Sequence, residues 1–155
     1  LPKVISKKVG QTCRFAATPS RASPTFLEIT FGNRYKASIG VMSQTLFEKI
    51  ISREIPAQIV YEDDLVLAFR DIKPVAPVHV LIIPKKPIPR LSQARPEEHN
   101  VLGHLLLKAA EVAAQLGVNQ TGYRLVINNG PDAGESVPHL HCHILAGRSM
   151  AWPPG

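Results

Sequence analysis

Residues 136–145 read Ser-Val-Pro-His-Leu-His-Cys-His-Ile-Leu. Three of the six histidines of the chain, His139, His141 and His143, stand at every second position. A β-strand sends alternate side chains to opposite faces, so this spacing predicts a strand over 137–145 with three imidazoles ~6.6 Å apart on one face. Leu140, Cys142 and Ile144 then occupy the other face and sit on a core. A period of two does not fit a helix. Packing alone has no need of three titratable rings in a row, so the stretch points to chemistry.

Working outward, Asn128-Asn-Gly-Pro-Asp-Ala-Gly-Glu-Ser136 feeds the histidine strand. Gly130 and Gly134 permit a turn whose backbone N–H groups face an anion. Tyr123–Asn128 reads as a strand before it. Val78–Ile83 is an almost wholly apolar strand, expected at the centre of the sheet, and Pro84, Pro87 and Pro89 forbid regular structure after it. Ile59–Tyr61 and Leu65–Arg70 are two further strands around the turn Glu62-Asp63-Asp64. Thr45 with Glu48 forms a capping box ahead of a short helix at 45–53 that Pro56 ends. Glu97–Leu116 is a long helix with a wide apolar stripe, closed by Gly117. Few helices and about five mostly antiparallel strands make an α+β domain.

The chain has 155 residues, 45% hydrophobic and 19% charged, which fits one globular domain with a real core. Residues 1–41 hold seven lysines and arginines against the single acid Glu28, and so carry the whole net charge of +6. The rest of the chain is neutral, without a basic, aromatic-interleaved patch for nucleic acid. No apolar stretch approaches the ~20 residues of a membrane span. The basic, acid-poor, Ser- and Thr-containing start resembles an organelle transit peptide, with Met42 as the start of a leaderless ancestral form. The expected organisation is a leader over 1–42 and a domain over 43–155, located in a chloroplast or mitochondrion, or in the cytoplasm if the leader does not target. Cys13 and Cys142 make no disulfide framework, which points to a reducing compartment.

Same-face histidines have two chemical uses and one bland one. His-x-His with a third ligand can hold zinc. A neutral imidazole can attack phosphorus and form a covalent intermediate. Three structural histidines are the remaining reading. Cys142, on the opposite face, is no partner for a metal.

His139-Leu-His-Cys-His143-Ile-Leu resembles the signature of the histidine triad (HIT) superfamily. The flanks Leu46–Ile51, Glu54-Ile-Pro56, Tyr61–Asp64, Ala68–Asp71, Ala76–Lys86 and Trp152-Pro-Pro-Gly155 are similar to its histidine triad nucleotide-binding branch. The resemblance covers 43–155. It implies a two-fold dimer and a site carried over residue by residue. His141 matches the nucleophile, His143 its phosphate-contacting neighbour, and His139 the ring that orients the site through the backbone. His79 matches a fourth histidine that relays protons. Asp71 matches the acceptor for ribose hydroxyls, with Ile72 beside it. Asn128, Gly134, Glu135 and Ser136 match the phosphate loop, Ser136 near the leaving group. Leu46, Phe47, Ile50, Ile55 and Leu81 match the slot for the base. Trp152 would reach the partner subunit's site. His99 and His104 match no motif and are expected at the solvent or an interface.

The implied activity is that of a purine nucleoside phosphoramidase. It would hydrolyse P–N or related bonds of AMP or GMP conjugates, without metal or other cofactor, nucleic acid or membrane. Alternatives are a dinucleoside polyphosphate hydrolase, a nucleotide-binding regulatory module, and a zinc-binding protein. Pro138, Cys142 and Glu135 depart from the branch, and Glu135 is expected to place negative charge near the phosphate.

Overall fold

The computed structural model describes residues 44–154. The expected leader over 1–42 lies outside them. Helix α1 (Leu46–Ile51) leads to strands β1 (Ile59–Glu62), β2 (Val66–Arg70) and β3 (Val78–Pro84), helix α2 (His99–Gln115), and strands β4 (Tyr123–Val126) and β5 (Cys142–Ala146). The five strands form one sheet in the order β1-β2-β3-β5-β4, and every neighbouring pair is antiparallel.

Strand β3 sits at the centre because both of its faces are covered, which is why its sequence is almost continuously apolar. Val80 and Ile82 pack with Val66, Ala68, Cys142 and Ile144 under α2, which contributes Leu105, Ala109, Val112 and Ala113. Leu81 and Ile83 pack on the opposite face with Leu67, Phe69, and Phe47 and Ile50 of α1. Each fully buried aliphatic side chain contributes roughly 1.5–3 kcal/mol of transfer free energy. Of the apolar stripe on α2, Leu102 is only half-buried. Leu106 and Leu107 are 45% and 68% exposed.

Helix α1 begins as expected. The Thr45 side chain accepts from the Glu48 amide, and the Glu48 carboxylate accepts from the Thr45 amide. It ends earlier than Pro56, at Ser52, because Arg53 turns into the left-handed region with φ of 66°.

The histidine strand is shorter than its alternation suggests. β5 starts only at Cys142, so His139 and His141 precede it. The register pairs Ile82 with Cys142, and continuing it would oppose Pro84 to Leu140. Proline has no ladder donor. The Leu140 amide turns instead to the carbonyl of Ile88, at 2.7 Å. Pro84 itself closes β3 as its last strand residue rather than breaking it. β4 likewise stops at Val126, two residues before Asn128.

Candidate active site

The three triad rings still share one side of the sheet, the α1 side. The Phe47 ring lies edge-on to His139 and His141, with centroids at 6.0 and 5.1 Å. His141 and His143 rings are 5.0 Å apart. The fourth histidine arrives from β3: Leu81 pairs with His143 and His79 with Leu145, so His79 and His143 are diagonal neighbours on one face.

Backbone groups fix the proton positions, since a carbonyl only accepts and an amide only donates. His141 Nδ1 lies 2.8 Å from the carbonyl of His139, so Nδ1 carries the proton and Nε2 is left with its lone pair. His139 Nε2 donates to the Pro84 carbonyl at 2.9 Å, and its Nδ1 faces the Thr45 hydroxyl at 3.5 Å. The Val75 amide donates to His79 Nδ1 at 3.3 Å, so the proton of His79 sits on Nε2 and is donated to His143 Nδ1 at 2.9 Å. That leaves the proton of His143 on Nε2. This atom is buried and has no partner among the described residues. An orphaned buried donor is costly and calls for an acceptor.

Burial is the main cause that lowers the pKa of His143 to about 4, with the charges of His141 and His79 adding to it and Asp71 opposing. Burial also lowers His79, against the pull of Asp71. His139 is lowered by burial and by His141, against Pro84 and Glu48. The three rings around His141 are therefore neutral at pH 7. Cys142, facing the α2 core, is raised to about 11 by burial and is inert as a thiolate.

His141 and His143 line a cavity of about 630 Å³. Its apolar wall includes the expected Leu46, Phe47, Ile50, Ile55, Ile72 and Leu81, and its polar lining the expected Asp71 and Ser136. Asp71 accepts from the Lys73 amide at 2.7 Å through Oδ1, and its Oδ2 lies 3.5 Å from His79 Nε2. His79 and His139 stand behind the lining rings.

Three expected loop residues, Asn128, Gly134 and Glu135, do not line the cavity. Nor are the amides of the loop glycines free for an outside anion. Gly130 N–H donates to the Glu135 carboxylate at 2.5 Å, and Gly134 N–H to the Pro131 carbonyl at 2.9 Å. The loop closes on itself because these short-range acceptors are within reach. The charge of Glu135 does not face the cavity either: Arg90 pairs with it at 3.1 Å. Trp152 is 84% exposed and outside the cavity of its own chain. His104 is not free but bonds Asp63 at 2.7 Å, and His99 Nδ1 bonds the Pro96 carbonyl at 2.8 Å.

Pro56, Ala57, Gln58, Phe69, Arg70, Lys73 and Val137 also line the cavity. For Phe69 the alternation of β2 was an available signal, whereas the others lie at strand ends or in loops, where periodicity is silent. Among the described residues, one group of possible metal ligands converges: Asp71, His79 and His143, with ligand atoms within 4.8 Å of one another.

A family model described as HIT domain matches residues 52–150. An uncharacterized HIT-like protein of Synechocystis is 68% identical over 111 residues, which are 72% of this chain and 96% of that protein. The crystal structure of a HIT family hydrolase from Legionella pneumophila matches with a TM-score of 0.71 and 46% identity, over 72% of this chain and all of that one. A histidine triad nucleotide-binding protein from Candida albicans matches with a TM-score of 0.62 and 30% identity, over 71% of this chain and 83% of that one.

Proposed function

The chain belongs to the HIT domain family, and we propose that within it this protein is a purine nucleoside phosphoramidase acting through a nucleotidyl-histidine. The observation that carries the reading is the pair of opposite nitrogens at the cavity: a lone pair on His141 Nε2 beside an unpartnered N–H on His143 Nε2. The first is a nucleophile, the second a donor for a non-bridging phosphoryl oxygen. The naming of solved relatives as a HIT family hydrolase and a histidine triad nucleotide-binding protein supports the same class.

In this reading the purine lies against Leu46, Phe47, Ile50, Ile55 and Leu81, and the Asp71 carboxylate accepts from the ribose hydroxyls. His141 Nε2 attacks phosphorus and the P–N bond breaks, the departing nitrogen taking a proton from solvent beside the Ser136 hydroxyl and leaving as the free amine. Attack makes the His141 ring cationic. The His139 carbonyl, already holding Nδ1–H, stabilises that charge in the position where many catalytic triads use a carboxylate. His143, kept neutral, donates without competing for the role of nucleophile. Water then attacks phosphorus, giving up a proton to solvent, and the bond to His141 breaks, which releases the nucleoside monophosphate and restores the lone pair.

The zinc alternative has its own observation in the Asp71, His79 and His143 group. The geometry disfavours it. His79 Nε2 and His143 Nδ1 point at each other in a 2.9 Å hydrogen bond rather than at a shared centre.

Two further parts belong to the proposal. Exposed Leu106 and Leu107 on α2 and the position of β4 at the edge of the sheet among the described residues support a two-fold dimer. Arg124 holds the tail by the Ala151 carbonyl at 2.7 Å, leaving exposed Trp152 available to the partner's site. Residues 1–42 are proposed as an organelle leader, supported by their composition and by a cyanobacterial relative matched over 96% of its length by 111 residues of this chain.

The test is turnover of an adenosine phosphoramidate by the wild type and His141→Ala. Loss of at least about a thousandfold in kcat with AMP binding retained is expected, because the chemical step goes and the cavity stays. A phosphorylated-nucleoside adduct on His141 should be trapped by acid-free quenching and seen by peptide mass. Near-normal turnover by His141→Ala would remove the assignment.

A further inference from the structure

The Asn128–Ser136 loop is held from behind by the connector that follows β3. Two contacts cross between them. The Ser92 amide donates to Asn129 Oδ1 at 2.8 Å, and Arg90 Nη2 pairs with Glu135 Oε1 at 3.1 Å. The other oxygen of the same carboxylate accepts from Gly130 N–H at 2.5 Å, while Glu135 N–H donates back to the Gly130 carbonyl at 3.2 Å. Gly130 has φ of 90°, a conformation open to glycine and strained for other residues. The carboxylate is therefore the clasp of the loop. Its side chain is only 5% exposed, so an anion here needs a partner.

We propose that Arg90 is a positioning residue for the nucleotide site: it holds Glu135 closed on Gly130, away from the cavity, and cancels the negative charge that Glu135 would otherwise add beside an incoming phosphate. The proposal rests on the nucleotide reading for its effect on binding, and on the loop geometry alone for the clasp. Arg90 does not line the cavity, and among the described residues its side chain pairs only with Glu135, so it acts through Glu135. A glutamine at 135 would close the loop with its amide oxygen and need no cation. A glutamate closes it only with one, and this chain supplies Arg90 from a proline-rich segment 45 residues earlier in sequence.

The sign of the effects makes the proposal testable. Arg90→Gln leaves the carboxylate uncompensated and should weaken AMP binding on the order of tenfold, through the repulsion between one uncancelled negative charge and the phosphate. Adenosine, which lacks the phosphate, should bind as before. Arg90→Gln combined with Glu135→Gln should return AMP affinity to within about twofold of wild type, and Arg90→Lys, which keeps the charge but loses the planar fork, should fall between. In nucleotide-free protein, the Gly130 amide should exchange with solvent faster in Arg90→Gln than in wild type. AMP bound by Arg90→Gln as tightly as by wild type, or a double variant no better than Arg90→Gln, would overturn the proposal. A wild type that binds neither AMP nor adenosine, with Gly130 exchange still dependent on Arg90, would remove the nucleotide reading and leave the clasp standing.

Discussion

Acid should weaken this fold through His143 before it protonates most carboxylates. The ring titrates at about 4 in the folded chain and at ~6.5 when unfolded. A histidine with a depressed folded pKa favours the folded state at high pH. As pH falls below the unfolded value, the unfolded chain takes up a proton that the native ring refuses, so stability drops. The loss ends near pH 4, where both states are protonated. Between pH 7.5 and 5.0 the linkage amounts to about 2 kcal/mol if the whole shift is counted. The ring borders an open cavity, and solvent screening reduces this to about 1 kcal/mol. Urea denaturation at pH 7.5 and 5.0, at one fixed protein concentration, measures it. His143→Asn keeps a polar side chain but removes the titration, so its loss across this window should be smaller than that of wild type by about 1 kcal/mol. His79 and His139, also depressed by burial, will leave some slope in the variant. Identical losses in the two proteins would show that the ring is not held neutral by its surroundings, and the account of a neutral donor beside His141 would fail with it.

Three other outcomes follow from the same structure. Prolonged chelation should leave phosphoramidate turnover unchanged, and activity lost to chelator and restored by zinc would instead make Asp71, His79 and His143 a metal site. A chain starting at Met42 should match the longer one in melting temperature and kcat/KM; a drop of several degrees would give residues 1–41 a structural role. Light scattering should give the mass of two chains, with Leu106→Glu and Leu107→Glu shifting it to one, while removal of residues 150–155 should alter the preference among leaving amines without splitting the dimer. A single-chain mass for wild type, or unchanged selectivity after the truncation, would refute the corresponding part.

Residue spacing made much of this fold readable. The unbroken apolar run of β3 is what a strand covered on both faces requires, and the alternation of Cys142 and Ile144 against the histidines correctly separates the α2 side from the α1 side. The capping box at Thr45 and Glu48 and the glycine after α2 mark helix ends by local chemistry. Local signals fail where a partner lies far along the chain. The histidine alternation continues through 139–141 although the ladder does not, because Pro84 on another strand supplies no donor opposite Leu140. Thr45 reads as a helix cap, and its approach to His139 spans 94 residues. Glu135 reads as a charge near phosphate until Arg90 is brought beside it.

The deeper limit concerns which nitrogen of each ring does what. The identities of His79, His139, His141 and His143 are visible in the sequence, but their tautomers are set by main-chain groups: the carbonyls of His139 and Pro84 and the amide of Val75. Every residue owns a carbonyl, and every residue but proline an amide, so no residue type announces them. Only the fold decides that a carbonyl meets His141 at Nδ1 and that an amide starts the chain through His79 to His143. The same four rings with the His141 proton on Nε2 would present a donor where phosphorus needs a lone pair. The short connector that carries the His139 carbonyl past Pro84 is therefore as much a part of the proposed chemistry as the imidazoles, and the break in the strand at Cys142 is what frees that carbonyl from the ladder to hold the His141 proton.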